Sequence, residues 1–152
     1  MELRRREHVL IREANEKDAA AICNISSNDL GYVCEEQFVL QRLAALDFNR
    51  EVVFVAEIDG AVAGYVHAEI YSLLYWNPMV NILGLAVVLD YRRKGVGKAL
   101  MTRVEEWAME KEIKEIRLNS GGTRKEAHEF YRAMGFDNEK MQIRFIKELN
   151  EP

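Results

Sequence analysis

A chain of 152 residues, 49% apolar and 30% charged, suits a single globular domain over 1–152 with a sizeable core and excludes a disordered chain. Its formal net charge of -4 supplies no general positive field for nucleic acid or an anionic membrane, so a phosphate ligand has to be met by local cations. Two cysteines, Cys23 and Cys34, are too few for a disulfide scaffold and lack a Cys or His at metal-ligand spacing; they read as reduced thiols of a cytoplasmic protein with no metal site.

In chain order, Met1–Arg6 is charged and no apolar core follows it, which predicts no signal peptide. The apolar run His8–Ala14 reads as a first strand. Asn15 precedes an Ala-rich segment, Lys17–Ser27, with Glu16 and Asp18 near its start, the pattern of a capped helix. Gly31 breaks it. Glu35–Leu46 then repeats apolar residues at Phe38, Val39, Leu43 and Leu46, which predicts a second amphipathic helix.

Glu51–Ile58 is rich in β-branched residues and runs directly into Asp59-Gly60, a strong hairpin signal, so Ala61–Tyr71 is the returning antiparallel strand. Val80–Leu89 reads as a further buried strand. Lys98–Lys111 places Leu100, Val104, Trp107 and Ala108 on one helical face. Glu115–Ser120 is a strand, Gly121-Gly122 a break, and Lys125–Met134 a helix closed by Gly135. The alternation of Met141–Ile146 predicts a last strand.

The order β-α-α-β-β-β-α-β-α-β predicts an α/β fold with a mixed sheet and helices on both faces. The uncharged stretch Ile70–Leu89 approaches the length of a membrane-spanning helix, but Asn77-Pro78 and Asn81 interrupt it. Two strands joined by a loop is the better reading.

Arg92-Arg93-Lys94-Gly95-Val96-Gly97 stands between a buried strand and an amphipathic helix. Its glycines let consecutive N–H groups converge on one anion, and the following helix presents its positive dipole end there. Arg92, Arg93, Lys94 and Lys98 add charge, and a diphosphate suits such a loop. A dinucleotide fingerprint fails because Leu100 stands where a small residue is needed. A Walker loop fails at Arg92 and Ala99. The competing reading is an ordinary strand–helix turn with incidental basic residues.

The hexapeptide resembles the acetyl-CoA motif [Q/R]-x-x-G-x-[G/A] of the GNAT N-acetyltransferases, with Arg92, Gly95 and Gly97 at its defined positions. Leu85–Tyr91 is similar to that family's fourth strand, and Ala127–Phe136 resembles its late A-x-x-F-Y-x-x-x-G-F signature. The resemblance covers nearly the whole chain. It implies the GNAT fold, acetyl-CoA as co-substrate, and direct transfer of its acetyl group to an amine. It further implies a pantetheine site along Leu85, Ala86, Val87 and Val88, diphosphate contacts from Arg92, Arg93, Lys94, Gly95, Val96, Gly97 and Lys98, and Tyr131 as the acid that protonates the leaving thiolate. Packing of Tyr131 beside Phe130 as a core aromatic is the bland alternative. A homodimer is implied by analogy with relatives.

Departures from the family pattern are informative. Many relatives place a glutamate on the fourth strand as base, whereas Val80–Leu89 holds Asn81 and Gly84 but no acid or histidine. Glu69 is the base candidate, with His67 on the same face of its strand and Glu57 on the strand before; solvent exposure of that face and a water chain to bulk are the alternatives. Arg124 stands where many relatives have asparagine and gives a string similar to aminoalkylphosphonate and some amino-sugar-phosphate acetyltransferases; a cofactor phosphate, an anionic substrate, and plain solvation at a helix start are its three readings. His128 reads as a packed or capping histidine. Tyr32, Phe38, Tyr71, Tyr75 and Trp76 are candidates to line the acceptor's entry. A small-molecule amine is the expected acceptor, with a peptide acceptor or a non-catalytic CoA-binding module as rivals.

Overall fold

The alternating apolar runs pair in the order in which the chain makes them. The computed structural model describes residues 8–150, in two compact units that divide between Asn119 and Ser120. Met1–Arg6, read above for a leader, lies outside the described residues. In the first unit, β1 (Val9–Glu13), β2 (Glu51–Ile58), β3 (Ala61–Tyr71), β4 (Met79–Val87) and β5 (Ile116–Leu118) form one sheet in the order β1-β2-β3-β4-β5. The first three pairings are antiparallel and β4–β5 is parallel, so the sheet is mixed. Asp59 and Gly60 both take positive φ, 51° and 79°, as a two-residue hairpin turn with the sheet's own twist requires.

Helices α1 (Ala19–Asn28) and α2 (Glu36–Ala44) cover one face, and α3 (Val96–Glu110) lies across β1 to β4. On the first face Ile22 and Ile25 of α1 pack on Val53, Val55, Tyr65 and Ala86, and Val39 and Leu43 of α2 close the edge. α3 contributes Leu100, Met101 and Val104, all fully buried, and its Arg103 guanidinium lies 4.5 Å from the Phe54 ring centre. Removing a side chain as buried as Leu100 leaves a cavity and costs about 2–5 kcal/mol. The uncharged stretch from Ile70 to Leu89 is the end of β3, a loop and β4, and among the described residues no helix is long and apolar enough to cross a membrane.

The second unit holds α4 (Lys125–Ala133), ended by Gly135 at φ 95°. The strand expected over Met141–Ile146 is not formed: residues 137–150 carry no regular structure, with Met141, Ile143 and Phe145 each more than 80% exposed. Alternation supplies an apolar face, but a strand also needs a neighbouring edge for its backbone groups, and the described residues of this unit contain no other strand. The observed order therefore ends at α4.

The only buried charged residue described is Asp18, 4% exposed. Arg12 donates to both its carboxylate oxygens at 2.8 Å, and the Asn15 N–H donates to it at 2.8 Å in a capping box that starts the Glu16–Asp18 turn ahead of α1. Burial pushes the carboxyl upward, but the hydrogen bonds from Arg12 and Asn15 outweigh it and hold Asp18 below the ordinary aspartate value. A carboxylate depressed on folding stabilises above its unfolded titration and loses that contribution as pH falls through its folded one. Asp18→Asn should therefore destabilise by about 3 kcal/mol at neutral pH and flatten the acid limb of a melting-temperature profile; an unchanged limb would show that another group carries it.

Candidate functional site

β4 runs on where β5 stops. Only Val80, Asn81 and Ile82 pair with Ile116, Arg117 and Leu118, so from Leu83 onward no strand among the described residues pairs with β4 on its β5 side. Leu83 is the extra residue of a bulge: His67 pairs with Gly84 while Ala68 pairs with Ile82. Beyond the bulge the backbone alternates. The Val88 N–H donates to the Ala63 carbonyl at 2.8 Å, which turns Ala86 and Gly84 toward β3 and leaves the polar groups of Leu85 and Val87 on the open edge. Arg92 Nε donates to the Val87 carbonyl at 3.3 Å, as that orientation requires. Close approach of β3 is enforced at Gly64, where a Cβ would stand 2.7 Å from the Ala86 carbonyl oxygen.

The open edge feeds into the basic loop. Arg93 and Gly95 both take positive φ, 64° and 81°, and Gly95 is the N-cap of α3 with no side-chain cap. The first intrahelical bond is Ala99 N–H to Gly95 O at 3.0 Å, so the N–H groups of Val96, Gly97 and Lys98 stand ahead of it at the positive end of the helix dipole. Arg92, Arg93, Lys94 and Lys98 are exposed around this end, Arg92 3.8 Å from Asp29 and Lys94 5.5 Å from the Tyr91 ring centre. The residues read for phosphate and pantetheine contacts are thus brought together on one edge and one helix terminus. Ala86 differs from its neighbours: its backbone faces β3 and its methyl is in the core.

A polar row crosses the first face of the sheet beside the point where β4 and β5 part. Glu69 lies opposite Glu51 on β2 and Asn81 on β4, and Asn81 lies opposite Arg117 on β5. Glu51 accepts from His67 Nε2 at 2.8 Å and lies 3.7 Å from Arg42 of α2. Asn81 donates to Glu69 at 3.5 Å and accepts from Arg117 at 2.8 Å. Sequence reading named Glu69, His67 and Asn81 but missed Glu51 and Arg117, which only strand register brings alongside them. Glu57 is elsewhere, tied to Arg12 at 2.8 Å. Of the aromatic candidates, Tyr32, Phe38, Tyr75 and Trp76 are more than half exposed, whereas Tyr71 lies beneath Arg117, 4.7 Å from ring centre to guanidinium.

Tyr131 and Arg124 belong to the second unit. Tyr131 is half-buried between the Phe130 and Phe136 rings, at 5.4 and 5.7 Å between centres. Burial pushes its phenol above the ordinary tyrosine value, partly offset by the charge of Arg124. His128 Nε2–H donates to the Gly121 carbonyl at 2.9 Å, a loop-fastening contact.

Comparison with known proteins is consistent with this geometry. The family model described as Acetyltransferase (GNAT) family matches residues 13–136. An uncharacterized N-acetyltransferase of Archaeoglobus fulgidus is 33% identical over 88 residues, which are 57% of this chain and 60% of that protein's length. Aminoglycoside N(6')-acetyltransferase type 1 of Salmonella typhimurium is 27% identical over 62% of this chain and 68% of its own. Among solved structures, AAC(6')-Iy in complex with the bisubstrate analog CoA-S-monomethyl-acetylneamine superposes with a TM-score of 0.79 at 20% identity, over 93% of this chain and 99% of that one, a likeness of fold.

An uncapped helix terminus at a positive-φ turn, continuous with an open strand edge, suits the diphosphate and amide-bearing arm of CoA. Gly97→Trp, which sets a bulky side chain among the first N–H groups of α3, should weaken CoA binding at least tenfold by calorimetry while far-UV circular dichroism stays unchanged; full affinity would move the phosphate site elsewhere. With the family model spanning most of its length and the sheet and loop laid out as above, the chain belongs to the GNAT acetyltransferases, an enzyme family whose acyl donor is acetyl-CoA.

Proposed function

We propose that residues 1–152 act as one catalytic domain that transfers the acetyl group of acetyl-CoA directly to a primary amine of a small molecule. The observation that carries this reading is the open β4 edge running into the uncapped start of α3. Leu85 offers its N–H and C=O and Val87 its N–H at strand spacing, the Val87 carbonyl being met by Arg92, so an extended amide-bearing arm hydrogen-bonds there as an added strand would. The Val96, Gly97 and Lys98 N–H groups, with Arg92, Arg93, Lys94 and Lys98, take the diphosphate. Edge donors also polarise the acetyl carbonyl where negative charge develops. Holding amine and thioester in register supplies much of the barrier reduction, with about 7–11 kcal/mol available from orientation in favourable cases.

In the transfer, the amine nitrogen forms a bond to the acetyl carbon and the carbon–sulfur bond breaks. Glu69 takes the proton the amine loses, directly or through water. Tyr131 donates a proton to the departing sulfur; its phenol, raised by burial, remains protonated above the ordinary tyrosine range and so is available as an acid at neutral pH. Arg124 contacts a phosphate or an anionic part of the acceptor. The relatives that carry aminoglycoside acetylation in their names support a small-molecule acceptor. The free thiols Cys23 and Cys34 are compatible with a cytoplasmic setting.

We also propose that the protein is a homodimer. Exposure of Met141, Ile143 and Phe145, alternating along a segment with no strand partner, supports addition of this segment to an edge of a second copy. Light scattering behind size-exclusion chromatography should give twice the chain mass, and Ile143→Lys with Phe145→Lys should give a monomer; a monomeric parent protein contradicts the dimer.

The enzyme reading is tested by thiol release from acetyl-CoA across amines, polyamines, amino sugars, aminoalkylphosphonates and peptides. Turnover is expected with a small amine, and Tyr131→Phe should lower kcat about 100-fold with little change in the KM for acetyl-CoA. Tight CoA binding without turnover of any acceptor points to a non-catalytic module, and turnover confined to peptides points to a protein acetyltransferase.

A further inference from the structure

The charges on the first face of the sheet are not evenly matched. Arg12 is spent on Asp18 and Glu57, and on the opposite face Arg103 of α3 lies 3.7 Å from Glu106 and 3.5 Å from Glu110. Arg117 is half-buried as those are, yet no carboxylate among the described residues pairs with it. It donates to two amide oxygens, Asn81 Oδ1 at 2.8 Å and Asn119 Oδ1 at 3.3 Å, and lies over the Tyr71 ring. These contacts orient the guanidinium without neutralising it. Glu69, also half-buried, accepts only the long 3.5 Å bond from Asn81 and has no cationic partner among the described residues.

We infer that the acceptor carries an anionic group besides its amine, a carboxylate, phosphonate or phosphate, which Arg117 binds while Glu69 holds the ammonium end. The inference rests on the acetyltransferase reading and names its substrate class.

Register explains why the two charges stay apart. Glu69 is on β3 and Arg117 on β5, with Asn81 of β4 between them, so their Cα atoms are about 10 Å apart and the Asn81 amide bridges the side chains by donating to one and accepting from the other. A short zwitterion spans such a gap. The desolvation cost of an unpaired half-buried guanidinium is recovered when an anion arrives, and its planar fork suits a carboxylate or phosphate bidentately. Asn81–Arg117 is the second-last rung before β4 and β5 part, next to the open edge proposed for the donor. An anion held there keeps the amine of the same molecule close to the thioester. A polycation, by contrast, would meet the Arg117 charge.

The test is steady-state thiol release from acetyl-CoA with matched acceptors: 3-aminopropanoate against 3-aminopropanol, 2-aminoethylphosphonate against ethanolamine, and an aminoglycoside. The expected result is at least tenfold higher kcat/KM for the anionic member of each pair. Arg117→Gln should erase that preference by raising the acceptor KM, with the KM for acetyl-CoA held, and Arg117→Lys should restore part of it. Equal or better turnover of the neutral or polycationic acceptors overturns the inference alone, as does a preference unchanged in a folded Arg117→Gln protein. No thiol release with any acceptor overturns the enzyme reading and this inference with it.

Discussion

A backbone amide at the edge of a sheet must find a partner or face solvent, and in this protein the length mismatch between β4 and β5 decides where that happens. β5 pairs for three residues and ends at Leu118, while β4 continues to Val87. The continuation is a strand with one side satisfied by β3 and the other open. An open edge buried against nothing is a liability in most proteins. Here it leads through a short turn over Leu89–Tyr91 into a loop with two positive-φ residues and a helix start lacking a side-chain cap. Hydrogen-bond donors are thereby aligned over the length of an extended ligand arm and end at a concentration of positive charge.

The rest of the first unit holds that edge still. α3 is pinned across four strands by Leu100, Met101 and Val104, which fixes the direction of its dipole relative to β4. On the opposite face, Ile22 and Ile25 seat α1 on Tyr65 and Ala86, and the Ser26 and Tyr65 hydroxyls share a 2.8 Å hydrogen bond. Farther along that face, packing gives way to the polar row of Glu51, His67, Glu69, Asn81 and Arg117. The sheet therefore carries apolar and polar halves on one surface, and the polar half adjoins the point where the strands separate. A net charge of -4 is no obstacle to anion binding when the cations are gathered at one helix terminus.

Much of this was legible in the residues. Asp59-Gly60 placed the β2–β3 hairpin, and Arg92 to Gly97 placed the loop, because each depends on local backbone chemistry. The polar row was only half legible. Counting outward from the hairpin pairs Glu51 with Ala68; the irregularity between Ala56 and Glu57 shifts the register by one and sets Glu51 opposite Glu69 instead. Arg117 joins the row through a parallel pairing to a strand more than thirty residues earlier, for which local pattern holds no signal. Met141–Ile146 shows the opposite failure: period-two alternation proclaims a strand, but pairing is not a property of the segment alone.

The open β4 edge and the start of α3 are proposed to form one continuous CoA site. Amide hydrogen exchange with and without saturating CoA reads that directly. Protection is predicted at Leu85 and Val87, on alternate residues, and at Val96, Gly97 and Lys98, with Ala86 little changed because its N–H is turned toward β3. CoA bound tightly with no added protection at these amides would contradict the account.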